Sequence, residues 1–263
     1  MLISDWPAQL KQFQASNVSF VVSGRISEMP RGMNHFYMVA PASTSSVVGM
    51  ISELPRQLGV VYIFGWGAGS MLSGNLIDLP RNLTQVYING GGTWQVGGAL
   101  GDLPQTTNWL LLNNLAGSGI TGQLSSLNMG MIYLSLGDTG AGSNVVGSMS
   151  DIVWPCSTVT LFGNIGAIGG SLSNIGATVP LLQFRTSGQG LSSVTGSIPA
   201  SKLAASAAVI RLYDCNFSPE DTDGNIIAVS TATAGQSGSG KLAVFETNRT
   251  SASDAAVADL TGR

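Results

Sequence analysis

The sequence predicts a repeat solenoid whose coils stack into a parallel β-sheet on one face. Three observations predict this fold class. A glycine recurs at a nearly fixed spacing, apolar residues follow each glycine at constant distances, and two of these apolar positions alternate as in a strand. The chain has 263 residues, of which 44% are hydrophobic and only 10% charged, so it can form one sizeable core.

Eight repeats begin at glycines that recur at a nearly constant interval. These anchors are Gly24, Gly49, Gly74, Gly98, Gly122, Gly147, Gly170 and Gly196. A fixed period in the twenties is the signature of a leucine-rich-repeat solenoid. We number positions within a repeat from its glycine, which is position 0. Apolar residues then recur at positions 2, 5, 9, 12 and 14.

Positions 12 and 14 predict the strand of each repeat. In the fifth repeat they are Leu134 and Leu136, and in the eighth, which carries two extra residues, they become Ile210 and Leu212. Residues two apart in a strand point to the same side, so one strand per coil forms a parallel sheet with about 4.8 Å between strands. A proline at position 6 of the first four repeats prevents a long helix there. We therefore expect an α/β horseshoe-like solenoid with a mostly irregular or 3-10 outer side.

The chain divides into three parts. Residues 1–23 precede the repeats and are expected to form an N-terminal cap or arm, and residues 24–215 hold the eight leucine-rich repeats. Residues 216–263 predict a C-terminal α/β cap with short helices. Its first helix should start at Ser218 and Pro219, because serine caps a helix and proline suits the first turn. A strand at 241–246 and a final helix at 251–260 complete it.

Two kinds of segment carry a resemblance to known families. NNLAGSGITGQLSSL and SSVTGSIPASKL resemble leucine-rich repeats with a Gly-x-Ile-Pro element. GNLIDLPRNLTQVYING resembles the repeats of bacteriophage tail-fibre and related virion proteins. The resemblance covers residues 24–215. It implies a non-enzymatic virion structural protein, a tail-fibre, receptor-binding or decorating component. It also implies a homo-oligomer such as a trimer that contacts other virion proteins and a host surface glycan or protein.

The outward strand positions are 11, 13 and 15, because positions 12 and 14 point into the core. These positions are rich in aromatic residues and contain no acid. The candidate interaction surface comprises His35, Tyr37, Tyr62, Phe64, Tyr87, Trp109, Tyr133, Phe162, Arg185, Arg211 and Tyr213. Counting from Gly170 puts Arg185 at position 15, and Arg211 falls at position 13 of its repeat. A large exposed aromatic face normally marks a contact surface, including a surface for sugars. The alternative is ordinary cross-strand packing that stays solvated.

Acidic residues form a separate row at position 4, which we interpret as structural. The row consists of Glu28, Glu53, Asp78, Asp102 and Asp151. An acid just before Leu-Pro can accept backbone N–H groups of the turn, as at a helix start. Arg31, Arg56 and Arg81 follow three residues after the first three acids and can partly neutralise them. We therefore predict that this row is not an active site.

No other pattern predicts catalysis, a metal site or a cofactor. The segment 221–225 (DTDGN) superficially resembles a calcium loop but lacks the terminal glutamate that such a loop needs. His35 has no nucleophile suggested near it by any motif. Two cysteines, Cys156 and Cys215, give neither a disulfide framework nor a zinc site, and Cys156 falls in the apolar position 9.

Composition excludes further functions and leaves two alternatives open. The basic residues are scattered, which argues against nucleic-acid binding, and no apolar run reaches the length of a membrane span. Without a secretory signal, we expect synthesis in the host cytoplasm and assembly into a virion. The first alternative is a bacterial surface or secreted adhesin built from the same repeats. The second is a glycan-depolymerising β-solenoid enzyme, which would need clustered acids on an exposed stretch.

Overall fold

The computed structural model describes residues 1–263 except 17–20, 40–44, 65–68, 91–93, 114–118, 138–142, 164–165, 178–179, 182, 188–192, 206–208, 214, 216, 237–241, 246–248 and 263. The chain is a leucine-rich-repeat solenoid with a large parallel sheet of ten strands among the described residues. In spatial order these strands are β1 (Gln12–Ser16), β3 (His35–Val39), β5 (Val60–Phe64), β7 (Gln85–Asn89), β9 (Trp109–Asn113), β11 (Tyr133–Gly137), β13 (Thr158–Phe162), β15 (Gln183–Ser187), β17 (Val209–Leu212) and β18 (Leu242–Phe245).

Positions 12 and 14 point into the core in the first six repeats, as predicted, and Ile210 and Leu212 do so in the eighth. Leu134 of β11 lies between Leu110 and Val159 on the neighbouring strands, and all three side chains are fully buried. Because every coil is in register with the next, the same column of apolar residues continues along the solenoid. Each coil buries its apolar side chains against its neighbours, which is the source of stability in solenoids.

A second, smaller parallel sheet was not predicted. It has eight strands among the described residues: β2 (Ser23–Arg25), β4 (Ser46–Met50), β6 (Met71–Asn75), β8 (Gln95–Ala99), β10 (Ile120–Gln123), β12 (Asn144–Ser148), β14 (Gly166–Ser171) and β16 (Ser193–Thr195). The anchor glycines lie in or beside these strands and have positive φ angles, for example +125° at Gly74. The residue two before each anchor is apolar and buried, as at Val47 and Leu72. Each coil therefore closes through two sheets.

Short 3-10 turns follow the anchors, which confirms the prediction for this side of the coil. The second, third and fourth repeats, for example, have them at Ile51–Glu53, Leu76–Asp78 and Leu100–Asp102. Their first residue is buried and corresponds to position 2. A proline stands two residues after each of these turns. Because proline has no backbone N–H to donate, the helical hydrogen bonds cannot continue, and the 3-10 segment ends after one turn.

The N-terminal segment, which we predicted as a cap or arm, contributes a further coil. Its 3-10 turn Ile3–Asp5 contacts the turn of the first repeat, and β1 pairs in register with β3. Ile3 and Phe13 stand one repeat length before Ile26 and Phe36, so they occupy the same two positions as those core residues. The Trp6 ring stacks on Phe13 at 4.3 Å between ring centroids, which covers this end of the core.

The C-terminal elements follow the prediction. Helix α1 (Pro219–Ala232) starts at the Ser218 cap, whose hydroxyl accepts a hydrogen bond from the Asp221 N–H. Strand β18 pairs with β17 and extends the large sheet, and helix α2 (Asp254–Thr261) follows another 3-10 turn at Ser251–Ser253. Within α1, Ile226 and Val229 are buried, whereas Ile227 is exposed.

Candidate interaction surface

Three tyrosines form a stacked row on the outward face of the large sheet. Tyr37, Tyr62 and Tyr87 occupy position 13 of consecutive repeats and are direct register partners. Their ring centroids are 4.4 Å apart between Tyr37 and Tyr62 and 3.8 Å apart between Tyr62 and Tyr87, with nearly parallel planes. Both faces of the central Tyr62 ring are therefore covered, and Tyr37 and Tyr87 each have one face covered by Tyr62. The row presents ring edges and hydroxyl groups on the outward side of the sheet.

A groove of about 390 Å³ runs beside this row. It lies over position 11, where the small or flexible side chains Val60 and Gln85 are flanked by His35 and Trp109 on the adjoining strands. The complete lining is Gln14, His35, Tyr37, Val60, Tyr62, Gln85, Tyr87, Trp109 and Tyr133. This volume falls within the usual range of small-ligand sites. Six of the predicted surface residues thus meet in one groove.

The second aromatic pair closes one end of the groove. Trp109 and Tyr133 stack at 4.8 Å between centroids, and the Trp109 side chain is 39% exposed. Beside them, Leu111 and Ser135 also occupy an outward position but are only 3% and 2% exposed. The outward face is therefore covered by its own large side chains around the middle of the sheet. Burial raises the pKa of the Tyr62, Tyr87 and Tyr133 hydroxyls above their ordinary value. A phenol is protonated at physiological pH even at its ordinary pKa, so all three hydroxyls can donate a hydrogen bond.

The two arginines lie side by side, which corrects the position we predicted for Arg185. Arg185 of β15 is the register partner of Arg211 of β17 and of Thr160 of β13, so all three occupy the same outward column. The seventh repeat has two extra residues between its 3-10 turn and its strand, as the wider interval from Gly170 to Gly196 reflects. The distance from Gly170 to Gly196 shows that two residues are inserted but not where in the repeat they lie, so counting from Gly170 misplaces Arg185 by two positions. The same count puts Leu182 and Phe184 at positions 12 and 14, but Phe184 is the register partner of Val159 at position 12, and Leu182 lies outside the described residues.

The remaining predicted residues lie at the edge of this face. Phe64 contacts Tyr87 in a tilted arrangement with 6.0 Å between centroids. Phe162 covers Gly137 so closely that a Cβ atom there would come within 2.2 Å of the ring. Tyr213 follows the end of β17 and is half-buried. These three residues flank the groove and do not line it.

The acidic row lies at the 3-10 turns, away from the aromatic face. Glu53 accepts the backbone N–H of Met50 at 2.9 Å, and Glu28 and Asp151 make the equivalent bond at 2.8 Å. The structural interpretation is confirmed for these three, although the N–H comes from the residue before the turn. The arginines reach backbone carbonyls, since Arg31 donates to the oxygens of Ser27 and Glu53. Each such arginine links its own coil to the next.

The segment 221–225, which superficially resembled a calcium loop, anchors the C-terminal cap. Asp221 accepts the N–H of Gly196, and Asn225 bonds both Gly196 and Ile198, so α1 is tied to the last repeat. Asp223 accepts hydrogen bonds from Ser253 and Thr250, and these bonds lower its pKa below the ordinary value. The polar side chains of this segment therefore connect α1 to the last repeat and to the turn before α2.

Metal-ligating side chains do not cluster in the described part of the chain. No cluster of three or more His, Cys, Asp or Glu there could hold a metal ion. Cys156 is fully buried, as predicted for a core residue, and burial raises its pKa to about 12, so it stays a thiol. Among the helices of the described ranges, none is long and apolar enough to cross a membrane.

Three residues that line the groove are absent from the predicted surface: Gln14, Val60 and Gln85. Gln14 lies in the segment 1–23, for which we predict a cap or arm and no strand of the large sheet. The signal for a further coil is that Phe13 and Ala15 flank Gln14 as Phe36 and Met38 flank Tyr37. Val60 and Gln85 occupy outward position 11, but they are neither aromatic nor charged. The groove forms where these small or flexible side chains lie between large aromatic ones.

Comparisons with known proteins leave the family open. No protein-family profile matches the sequence, and no curated protein matches it. Among solved structures, the fold is similar to a plant peptide hormone receptor, RGFR1 in complex with RGF2, with a TM-score of 0.43 and 15% identity. The match covers 83% of this chain and 42% of that chain, so this chain spans less than half of the receptor's length. We rest the fold assignment on the repeat geometry itself.

Proposed function

We propose that this chain is a non-enzymatic contact protein whose outward large-sheet face binds a partner surface. The observation that carries this proposal is the continuous groove between the tyrosine row and the Trp109–Tyr133 pair. Tyrosine and tryptophan provide large rigid contact areas with little loss of conformational entropy. Stacked coils hold these side chains at fixed spacing, so the partner meets a preformed surface.

The setting we propose is a bacteriophage particle, with the chain as a tail-fibre, receptor-binding or decorating component. The support for this setting is the resemblance of the repeats to virion proteins. Labelling the protein in intact particles by immuno-electron microscopy tests it. A distal location on the tail supports host recognition, and a location on the shell supports a decorating role. Absence of the protein from purified particles, or a gene flanked by surface-sorting genes, would favour the adhesin alternative.

The contact role is tested by replacing Tyr62 and Tyr87 with serine. We expect loss of self-association or of adsorption to the host cell, with the fold retained, because both side chains lie outside the inward columns. Sedimentation gives the oligomer mass, cell adsorption gives host binding, and circular dichroism checks the fold. The matched control is the double change of Met50 and Met71 to serine, since these apolar side chains are 50% and 46% exposed on the other sheet. If the tyrosine variant keeps both properties, the contact role is wrong.

A further inference from the structure

Arg185 and Arg211 place two positive charges next to each other beyond the aromatic groove. As register partners on neighbouring parallel strands, their Cα atoms are about 4.8 Å apart. Like charges directly opposite each other destabilise a sheet unless a counter-charge lies between them. Among the described residues, the one ion pair within 4.0 Å is Arg249–Asp254, so neither guanidinium has a described carboxylate partner. Asp214, three residues after Arg211, lies outside the described residues.

The inner part of each guanidinium is removed from solvent without compensation. The Nε atoms of Arg185 and Arg211 are buried and have no hydrogen-bond partner among the described residues. A buried donor without an acceptor destabilises the folded state, and more so when the group is charged. An anion that accepts from the outer nitrogens of both side chains would remove the mutual repulsion. Arginine is well suited to this role because its fork of donors matches the geometry of a carboxylate.

The rest of the face also favours an acceptor-rich ligand. The stacked tyrosines present their ring edges, which carry the positive part of the aromatic quadrupole. Their hydroxyl groups are donors, and the Arg185 charge is close enough to Tyr133 to act on its titration. The described outward positions of the large sheet hold no acid, whereas the position-4 row holds five acids at the 3-10 turns. The face therefore attracts anions although the whole chain has a net charge of −3.

This arrangement discriminates between classes of anionic ligand. Single-stranded nucleic acid binds by stacking its bases on free aromatic faces. Here the inner tyrosine faces are covered by neighbouring rings, and Trp109 and Tyr133 cover each other on one side. A saccharide needs hydroxyl and amide partners along its length, and Tyr62, Gln85 and Gln14 provide them in the groove. From β9 to β17 the face extends over four strand spacings, roughly 19 Å.

We propose that Arg185 and Arg211 bind the carboxylate of an acidic polysaccharide whose neighbouring sugars lie along the aromatic groove. This inference rests on the proposed contact function of the face and names its ligand. The arginine pair gives selectivity for the acid, and the groove gives contact area. Binding weakens as salt rises, because the paired charges are partly exposed and are screened.

The test uses the full chain on an array of bacterial polysaccharides, with uronate-containing, sulfated and neutral members. The uronate ligand that binds best is then compared with its methyl ester by calorimetry. We expect about tenfold weaker binding of the ester, or about 1.4 kcal/mol, and a similar loss for the acid with Arg185→Gln/Arg211→Gln, because each change removes a charge-assisted hydrogen bond. The control Arg25→Gln/Arg56→Gln removes the same charge from exposed positions near the 3-10 turns.

Three outcomes overturn the inference: no uronate glycan binds, acid and ester bind alike, or the variant at Arg185 and Arg211 binds as the unmodified chain does. Binding of sulfated glycans alone also overturns the carboxylate assignment. Cell adsorption separates this inference from the proposed function. If adsorption falls with Tyr62→Ser/Tyr87→Ser but not with the arginine variant, the contact face stands and the anion site does not. If neither variant changes adsorption or oligomer mass, both proposals are wrong.

Discussion

The two sheets of the solenoid use the same coil in opposite ways. The small sheet brings neighbouring coils together through glycines at positive φ, each packed against the apolar residue at position 2 of the preceding coil, as Gly74 is against Ile51. The large sheet carries its apolar residues inward and leaves its outward positions to bulky aromatic side chains. The small sheet has almost no space for an added atom at its glycines, whereas the outward side chains of the large sheet can be replaced without affecting the core. Stability is therefore most sensitive at the small sheet, and binding specificity is best sought on the large one.

The largest expected effect is that of Gly74→Ala in the small sheet. The φ angle of +125° is strained for alanine, and its Cβ would lie 2.7 Å from Cγ1 of Ile51, which is held in the core. We expect a loss of about 2–4 kcal/mol in the free energy of unfolding, measured by urea denaturation. The control is Gly59→Ala, where the nearest atom to a Cβ is 3.7 Å away and φ is not positive. Equal denaturation midpoints for the two variants would contradict this account.

A smaller effect is expected for Gly137→Ala in the large sheet. The added Cβ meets the far edge of the Phe162 ring, which can rotate away, and φ at Gly137 needs no glycine. We expect a loss of about 1–2 kcal/mol in the free energy of unfolding, at the low end of overpacking. Combining it with Phe162→Ala should abolish that cost, so the double-mutant cycle gives a coupling of similar size. Independent, additive effects would show that the ring and Gly137 do not interact.

The smallest expected effect belongs to the acidic row between the sheets. Glu53→Ala removes the acceptor for the Met50 N–H at an exposed turn. We therefore expect a loss of about 0.5–1 kcal/mol in the free energy of unfolding, measured by thermal denaturation. Glu53→Gln keeps an acceptor oxygen and should retain most of that stability. Neither change should alter binding at the aromatic face. A binding loss with Glu53→Ala at unchanged stability would instead give the acidic row a functional role.

Much of this architecture was accessible from the sequence because each coil repeats the same local pattern. Leu134 and Leu136 identify an inward strand by their spacing alone, and Ser218 with Pro219 marks the start of α1. The tyrosine column followed from the same spacing, although its stacking did not. The small sheet was missed because its strands contain glycine, a poor strand former. The signal that could have found it is the apolar residue two before each anchor, which alternates with the glycine and position 2, as Val47, Gly49 and Ile51 do.

The sequence by itself determined the repeat, the inward columns and the outward column of tyrosines, since these depend on periodicity within one coil. Only the tertiary structure decided which residues of different coils meet. It closed each coil through a second sheet, made residues 1–16 part of the stack, and brought Arg185 beside Arg211. The physical reason is that register between coils depends on where an insertion lies and on how backbones pack. The wide interval from Gly170 to Gly196 gives the length of an insertion but not its place.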